Sequence, residues 1–165
     1  MNRIRIEKVT LNIGAGTNQS KLDKGLKLLQ TITNAKPVKT FTNKRIPNWG
    51  IRPGLPIGCK VTLRKKRSLE VLKNLLQAKD NLLQERQFDK FGNLAFGLHE
   101  YIDIPGVKYD PDIGILGFEV CVTFEKAGYR VKRRKVRVSK LGAKQKMTKQ
   151  EAIEFLKKEF GARIE

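Results

Sequence analysis

Residues 3–32, RIRIEKVTLNIGAGTNQSKLDKGLKLLQTI, change their hydrophobic period halfway along, and that change sets the class of fold. Over residues 3–13 apolar and polar side chains alternate, the pattern of a strand with one buried face. Ile4 and Ile6 hold even positions while Val9, Leu11 and Ile13 hold odd ones, so a β-bulge near Glu7 and Lys8 is expected. From Ser20 the repeat becomes helical: Leu22, Leu26, Leu29 and Ile32 fall on one face, Ser20 offers an N-cap and Pro37 an exit.

The rest of the chain mixes the same two periods. Lys36 to Phe41 reads as a short strand, and Ile57, Cys59, Val61 and Leu63 alternate with Gly58, Lys60, Thr62 and Arg64 in a half-buried one. Ser68 is placed to cap a second helix carrying Leu69, Leu72, Leu75 and Leu76. Leu94, Phe96 and Leu98 suggest a strand, and Leu116, Phe118, Val120, Val122 and Phe124 a longer one. Arg133, Lys135 and Arg137 oppose Val136 and Val138 in a further strand whose polar side is all cation. A last helix opens on the capping box Thr148–Glu151, presents Ala152, Phe155, Leu156 and Phe160, and stops at Gly161. Without regular βαβα alternation, residues 1–165 are expected to form a single α+β domain. The expected sheet is mainly antiparallel with helices packed on one face; Lys60, Arg64, Arg133, Lys135 and Arg137 would make the open face basic.

The formal charge of +19 points to a polyanionic partner. Residues 1–66 carry 15 Lys/Arg against 2 Asp/Glu, residues 67–125 carry 6 against 10, and residues 126–165 carry 14 against 4. Cations at both ends and acids in the middle fit a molecule with one side turned to an anion. Two cysteines, Cys59 and Cys121, lie in strand-like runs and are expected to be packing atoms; with one histidine they cannot complete a zinc set. The alternating start and the lack of an apolar run near 18 residues imply no membrane association.

Enzyme motifs are lacking. GAGTNQSK, residues 14–21, joins a strand to a helix as phosphate loops do but has no Gly-Lys-Ser/Thr ending. A nucleotide-dependent enzyme using Lys21 is the competing class, although the turn's N–H groups could also meet an RNA phosphate. His99 has no nucleophile elbow to serve, and Asp103, Asp110 and Asp112 lack calcium-loop spacing. No catalytic residue, metal or cofactor is expected. The loop TNKRIPNWGIRPGLPIG, residues 42–58, holds three prolines, three glycines, three cations and the only tryptophan. A loop of this length without periodicity usually has a task. Trp49 either stacks on a base or anchors the core, and Lys44, Arg45 and Arg52 favour RNA.

Three separated motifs, LNIGAG (11–16), WGIRPGLPIGCKVTLR (49–64) and FGNLAFGLHEYIDIPGVKYDPDIGILGFEV (91–120), closely resemble the large-subunit ribosomal protein L-five family. RRKVRVSKLGAKQKMTKQEAIEFLKKEFG (133–161) resembles its archaeal and eukaryotic branch, and the short loops favour an archaeon. The resemblance implies a cytoplasmic, ribosome-bound structural protein with neighbouring large-subunit proteins as partners. It would bind 5S rRNA and help attach it to the large rRNA in the central protuberance. It also implies a contact with a small-subunit head protein and a protruding loop, residues 42–56 here, that reaches the elbow of P-site tRNA. As members of the basic amino-terminal third and its exposed strand positions, Thr10, Asn12, Lys44, Arg45, Lys60, Thr62 and Arg64 are expected on 5S rRNA, and Trp49, Ile51 and Arg52 at the tRNA-facing tip. Arg133, Lys135 and Arg137 are expected on rRNA phosphates, and Asp110 and Asp112 on the small subunit. The alternative is an assembly or protein-docking module working through the acidic middle segment.

Overall fold

The computed structural model describes residues 3–165. The fold is α+β. Strands β1 (Ile4–Gly14), β2 (Val38–Phe41), β3 (Pro56–Leu63), β5 (Leu94–Leu98) and β6 (Phe118–Lys126) form a mostly antiparallel sheet in the order β2-β3-β1-β6-β5. A parallel pair, β4 (Leu82–Leu83) with β7 (Arg163–Ile164), makes a second small sheet. The helices are α1 (Gln19–Thr33), α2 (Lys66–Gln77), the single turn α3 (Arg130–Arg133) and α4 (Lys149–Phe160). In β1 the buried positions pass from Ile6 to Val9, Leu11 and Ile13 across half-buried Glu7 and Lys8, so the phase slip read from sequence is present.

Backbone contacts gather the chain into two compact units. One comprises Thr10–Leu63 and Phe96–Val120. Here α1 packs on β3 at Gly25, where an added Cβ would lie 3.0 Å from the Cys59 sulfur and 3.3 Å from Ile13. Gly58 is needed for a second close approach, because a Cβ there would sit 2.6 Å from the Ile13 carbonyl oxygen. Antiparallel pairing joins Val38 to Lys60 and Thr40 to Gly58, then skips one residue to join Phe41 to Pro56. The helix cap differs from expectation: Asn18, not Ser20, accepts from the Lys21 N–H at 3.0 Å, and Asn34 in the left-handed region ends the helix. Asn18 was overlooked because a Gly-rich turn gives no periodicity from which to count back. Between β5 and β6, Tyr101, Ile104 and Ile113 are buried, and the Tyr101 hydroxyl accepts the Asp110 N–H at 2.9 Å.

The other unit comprises Met1–Val9, Arg64–Ala95 and Cys121–Glu165. α2 buries Leu72, Leu75 and Leu76. Ser68 is not its cap: it lies in the first turn and donates to the Lys65 carbonyl at 2.6 Å, while Leu69 is exposed. The capping box of α4 is formed as read, Glu151 N–H to Thr148 at 3.4 Å and Thr148 N–H to Glu151 at 3.0 Å, and Gly161 closes the helix with φ 65°. Glu151 also receives the ammonium of buried Lys126 at 2.6 Å, tying the end of β6 to the start of α4. Cys59 is buried as expected, but Cys121 is exposed, because it falls on the outward phase of β6.

The cationic strand expected over residues 131–140 does not form. The segment makes the turn α3, then runs irregularly with Arg137 at φ 52° and its carbonyl accepting from Arg134 at 2.7 Å. Its valines explain why: Val136 and Val138 stay 74% and 60% exposed, so alternation here buries no apolar face.

Candidate nucleic-acid interface

Four expected RNA-binding residues share one face in the unit built on β1 and β3. Ile13 and Cys59 point at α1, so by alternation Thr10 and Asn12 of β1 and Lys60 and Thr62 of β3 point away from it. Lys60 and Thr62 are exposed, and Thr10 and Asn12 half-buried. On the neighbouring strands this face carries Gly97 and Glu119, which border a shallow depression with Asn12 and His99. Its positive charge is therefore concentrated on β3.

The loop after β2 is a built structure. Ile46 and Ile51 exchange two backbone hydrogen bonds of 3.0 and 3.1 Å, Pro47–Trp49 form a 3₁₀ turn, and Gly50 closes it in the left-handed region at φ 64°. Below the tip, Thr42 N–H donates to Leu55 and Gly54 N–H to Thr42, at 3.0 and 2.8 Å. The tip leans on the turn before α1: a Cβ on Gly50 would lie 3.9 Å from the Thr17 methyl. Trp49 is 68% exposed, so it is not a core anchor. Ile51 is half-buried beside it. Lys44, Arg45 and Arg52 are exposed and, like Lys60, make no ion pair among the described residues.

The GAG turn has less to offer an anion than its composition suggests. The N–H groups of Ala15 and Gly16 both donate to the Ile57 carbonyl, at 2.9 and 3.0 Å, which straps the turn to β3. They are not available to phosphate.

Arg64 and Arg133 are also committed internally. Arg64 reaches Glu7 at 3.3 Å; Arg133 reaches Glu7 at 2.9 Å and also pairs with Glu125, whose other oxygen takes Arg5 at 2.6 Å. Glu125 is almost wholly buried, and a buried carboxylate must be matched by charge. Lys135 and Arg137 are exposed in the irregular segment and make no ion pair among the described residues. Sequence reading missed Glu7 and Glu125 as holders of these arginines. The available signal was that Glu7 is one of only two acids in the first 66 residues and interrupts a strand.

Asp110 and Asp112 meet on Lys27 of α1, at 2.9 and 3.1 Å, and Asp112 N–H donates to Asp110 at 3.0 Å. The hydrogen bond from Lys27 holds the Asp110 carboxyl below its ordinary range, and the Asp110 and Asp112 carboxylates raise Lys27. Exposed Ile102, Tyr109 and Ile115 lie in the same segment. Burial pushes the Cys59 thiol up to about 11, which leaves it an unreactive packing atom. Among the described residues no group of three or more His, Cys, Asp or Glu could hold a metal, and no helix is long and apolar enough to cross a membrane.

Residues 1–52 match the family described as Ribosomal protein L5, and residues 56–155 match the model of that ribosomal family's C-terminus. Large ribosomal subunit protein uL5 of Methanosphaera stadtmanae is 46% identical over 165 residues, covering 100% of this chain and 98% of its own. That of Nanoarchaeum equitans is 49% identical, covering 99% and 97%, and that of Pyrobaculum aerophilum 47%, covering 100% and 92%. The chain thus belongs to the ribosomal protein L5 family, in its archaeal type, and is a structural, non-enzymatic constituent of the large ribosomal subunit, ribosome-bound in the cytoplasm.

Proposed function

We propose that the chain, working as one RNA-binding domain, binds 5S rRNA through Thr10, Asn12, Lys60, Thr62 and the stem cations Lys44 and Arg45, and helps attach it to the large rRNA. The loop tip, Trp49 with Ile51 and Arg52, reaches the elbow of P-site tRNA. One observation carries the reading: the loop is held by its own backbone hydrogen bonds while its three cations and its tryptophan are left to solvent. A pre-ordered finger loses little entropy on docking, and an exposed indole beside unpaired cations suits a base or ribose. Lys135 and Arg137 add looser phosphate contacts, whereas Arg64 and Arg133 approach RNA only with part of their charge already matched.

The test is a filter-binding titration of the full chain on 5S rRNA. With about six phosphates neutralised, log K should fall with log salt at a slope of roughly −4 to −5. A slope near zero rejects the proposal. Trp49→Ala should spare 5S affinity and weaken tRNA contact in assembled subunits.

A small-subunit contact is favoured by exposed Ile102, Tyr109 and Ile115 lying in the same segment as Asp103, Asp110 and Asp112. That mixture suits a basic protein of the subunit head. Asp112→Lys should weaken subunit joining with 5S affinity intact; an unchanged joining constant argues against it.

A further inference from the structure

In the unit containing α4, a cleft of about 810 Å³ opens beneath the irregular segment that follows α3. Its floor is buried Phe124, and its walls carry Tyr129 and Phe91, the latter 49% exposed. Lys132, Lys140 and Lys146 stand on the rim, with Lys90 5.2 Å from the Phe91 ring centroid. The one acid in the wall, Glu7, is already matched by Arg64 and Arg133. The cleft is thus aromatic within, cationic at its edge and free of unmatched negative charge.

We propose that this cleft takes one unstacked nucleotide from a single-stranded stretch of RNA. The inference rests on the reading of the chain as an RNA-binding protein but concerns a separate place in the fold. The volume lies within the roughly 300–1,000 Å³ usual for small-molecule sites, so a nucleotide fits. A nucleotide brings a π-face and a phosphate within one residue, which matches aromatic walls ringed by ammonium groups. An acidic peptide carries its charge and its rings on different residues and fits a single cleft less well. Ser139 offers a hydroxyl to a base edge. Asn93 offers its amide oxygen, since its NH₂ donates to Asp89 at 2.8 Å. The exposed Val138 on the wall would be covered by the ribose.

The test uses fluorescence anisotropy of the full chain with a short labelled single-stranded RNA, the same sequence as a duplex, and 5S rRNA in parallel. Phe91→Ala should weaken the single strand about tenfold, the loss of one base stack, and leave the duplex unchanged. Phe91→Tyr should restore binding, which separates stacking from misfolding. Lys140→Ala with Lys146→Ala should make the single-strand salt slope shallower by about 1.4, at ~0.7 per phosphate. If Phe91→Ala leaves the single strand unaffected while 5S rRNA still binds, the cleft inference falls and the broader reading stands. A chain that binds no RNA overturns both. A Glu-rich aromatic peptide whose binding depends on Phe91, with RNA indifferent to it, would reassign the cleft to a protein partner.

Discussion

Arg133→Ala separates two roles for that guanidinium. As a phosphate contact its loss should weaken RNA binding and leave the fold alone; as a clamp on Glu7 and Glu125 its loss should do the opposite. Removing one partner of a buried ion pair typically costs about 3–5 kcal/mol. Two features reduce this. Arg5 remains on Glu125 at 2.6 Å and Arg64 on Glu7 at 3.3 Å, and the Arg133 side chain is 44% exposed, so water screens part of its charge. The expected cost is then about 1–2 kcal/mol. In a chain of this length about 1 kcal/mol moves Tm by roughly 2–4 °C, so Tm should drop by about 2–8 °C. Thermal melts followed by circular dichroism would read the shift, and a double-mutant cycle with Glu125→Gln should give a coupling of at least about 0.5 kcal/mol. The salt slope on 5S rRNA should stay within error of the parent. An unchanged Tm together with a slope shallower by about 0.9, one phosphate lost, would refute the clamp.

Other perturbations probe the remaining contacts. Glu151→Gln should destabilise the chain by leaving the buried Lys126 ammonium without its carboxylate. Because the Lys126 hydrogen bond lowers the Glu151 carboxyl, that contribution is complete above the unfolded carboxylate value of about 4.3 and is lost as pH falls through the lower folded value. The Tm difference between parent and variant should accordingly be full at neutral pH and shrink in acid; a pH-independent difference contradicts the pair. Gly58→Ala should cost about 1–3 kcal/mol, since its Cβ would meet the Ile13 carbonyl at 2.6 Å, and a denaturant midpoint equal to the parent's would show that β1 and β3 can separate. Lys27→Ala should speed amide exchange over residues 100–114 by releasing Asp110 and Asp112, with α1 itself unaffected.

What sequence alone disclosed were the features set by neighbours in the chain. The switch from period two to a helical period located β1 and α1, and the Thr148–Glu151 box and Gly161 bounded α4. Caps without such a frame were missed: Asn18 sits in a Gly-rich turn, and Lys65 starts α2 with no side-chain cap at all. Alternation also misled over residues 131–140, because a period-two pattern states which side chains share a face and not whether any strand lies alongside. The arginine clamps were beyond reach for a different reason: Arg5 meets Glu125 across 120 positions and Arg133 meets Glu7 across 126. Nothing local marks such partners. Sequence leaves Trp49 open between core and surface, and its 68% exposure decides for the surface.

The same separation bears on how the charge of +19 is used. The first 66 residues hold 15 cations against 2 acids, which on composition alone promises a dense RNA-facing surface. Yet one of those acids, Glu7, binds Arg64 and draws in Arg133 from the far end of the chain, and Lys27 is spent on Asp110 and Asp112. Of the described residues, the cations left without an ion pair include Lys44, Arg45, Arg52 and Lys60, three of them on a loop whose shape is fixed by its own backbone bonds. A salt slope counts phosphates neutralised rather than cations carried. It should therefore follow the unpaired cations that meet RNA, and an engineered lysine placed on the loop stem should steepen it by about 0.9, an unchanged slope arguing against the loop as an RNA contact.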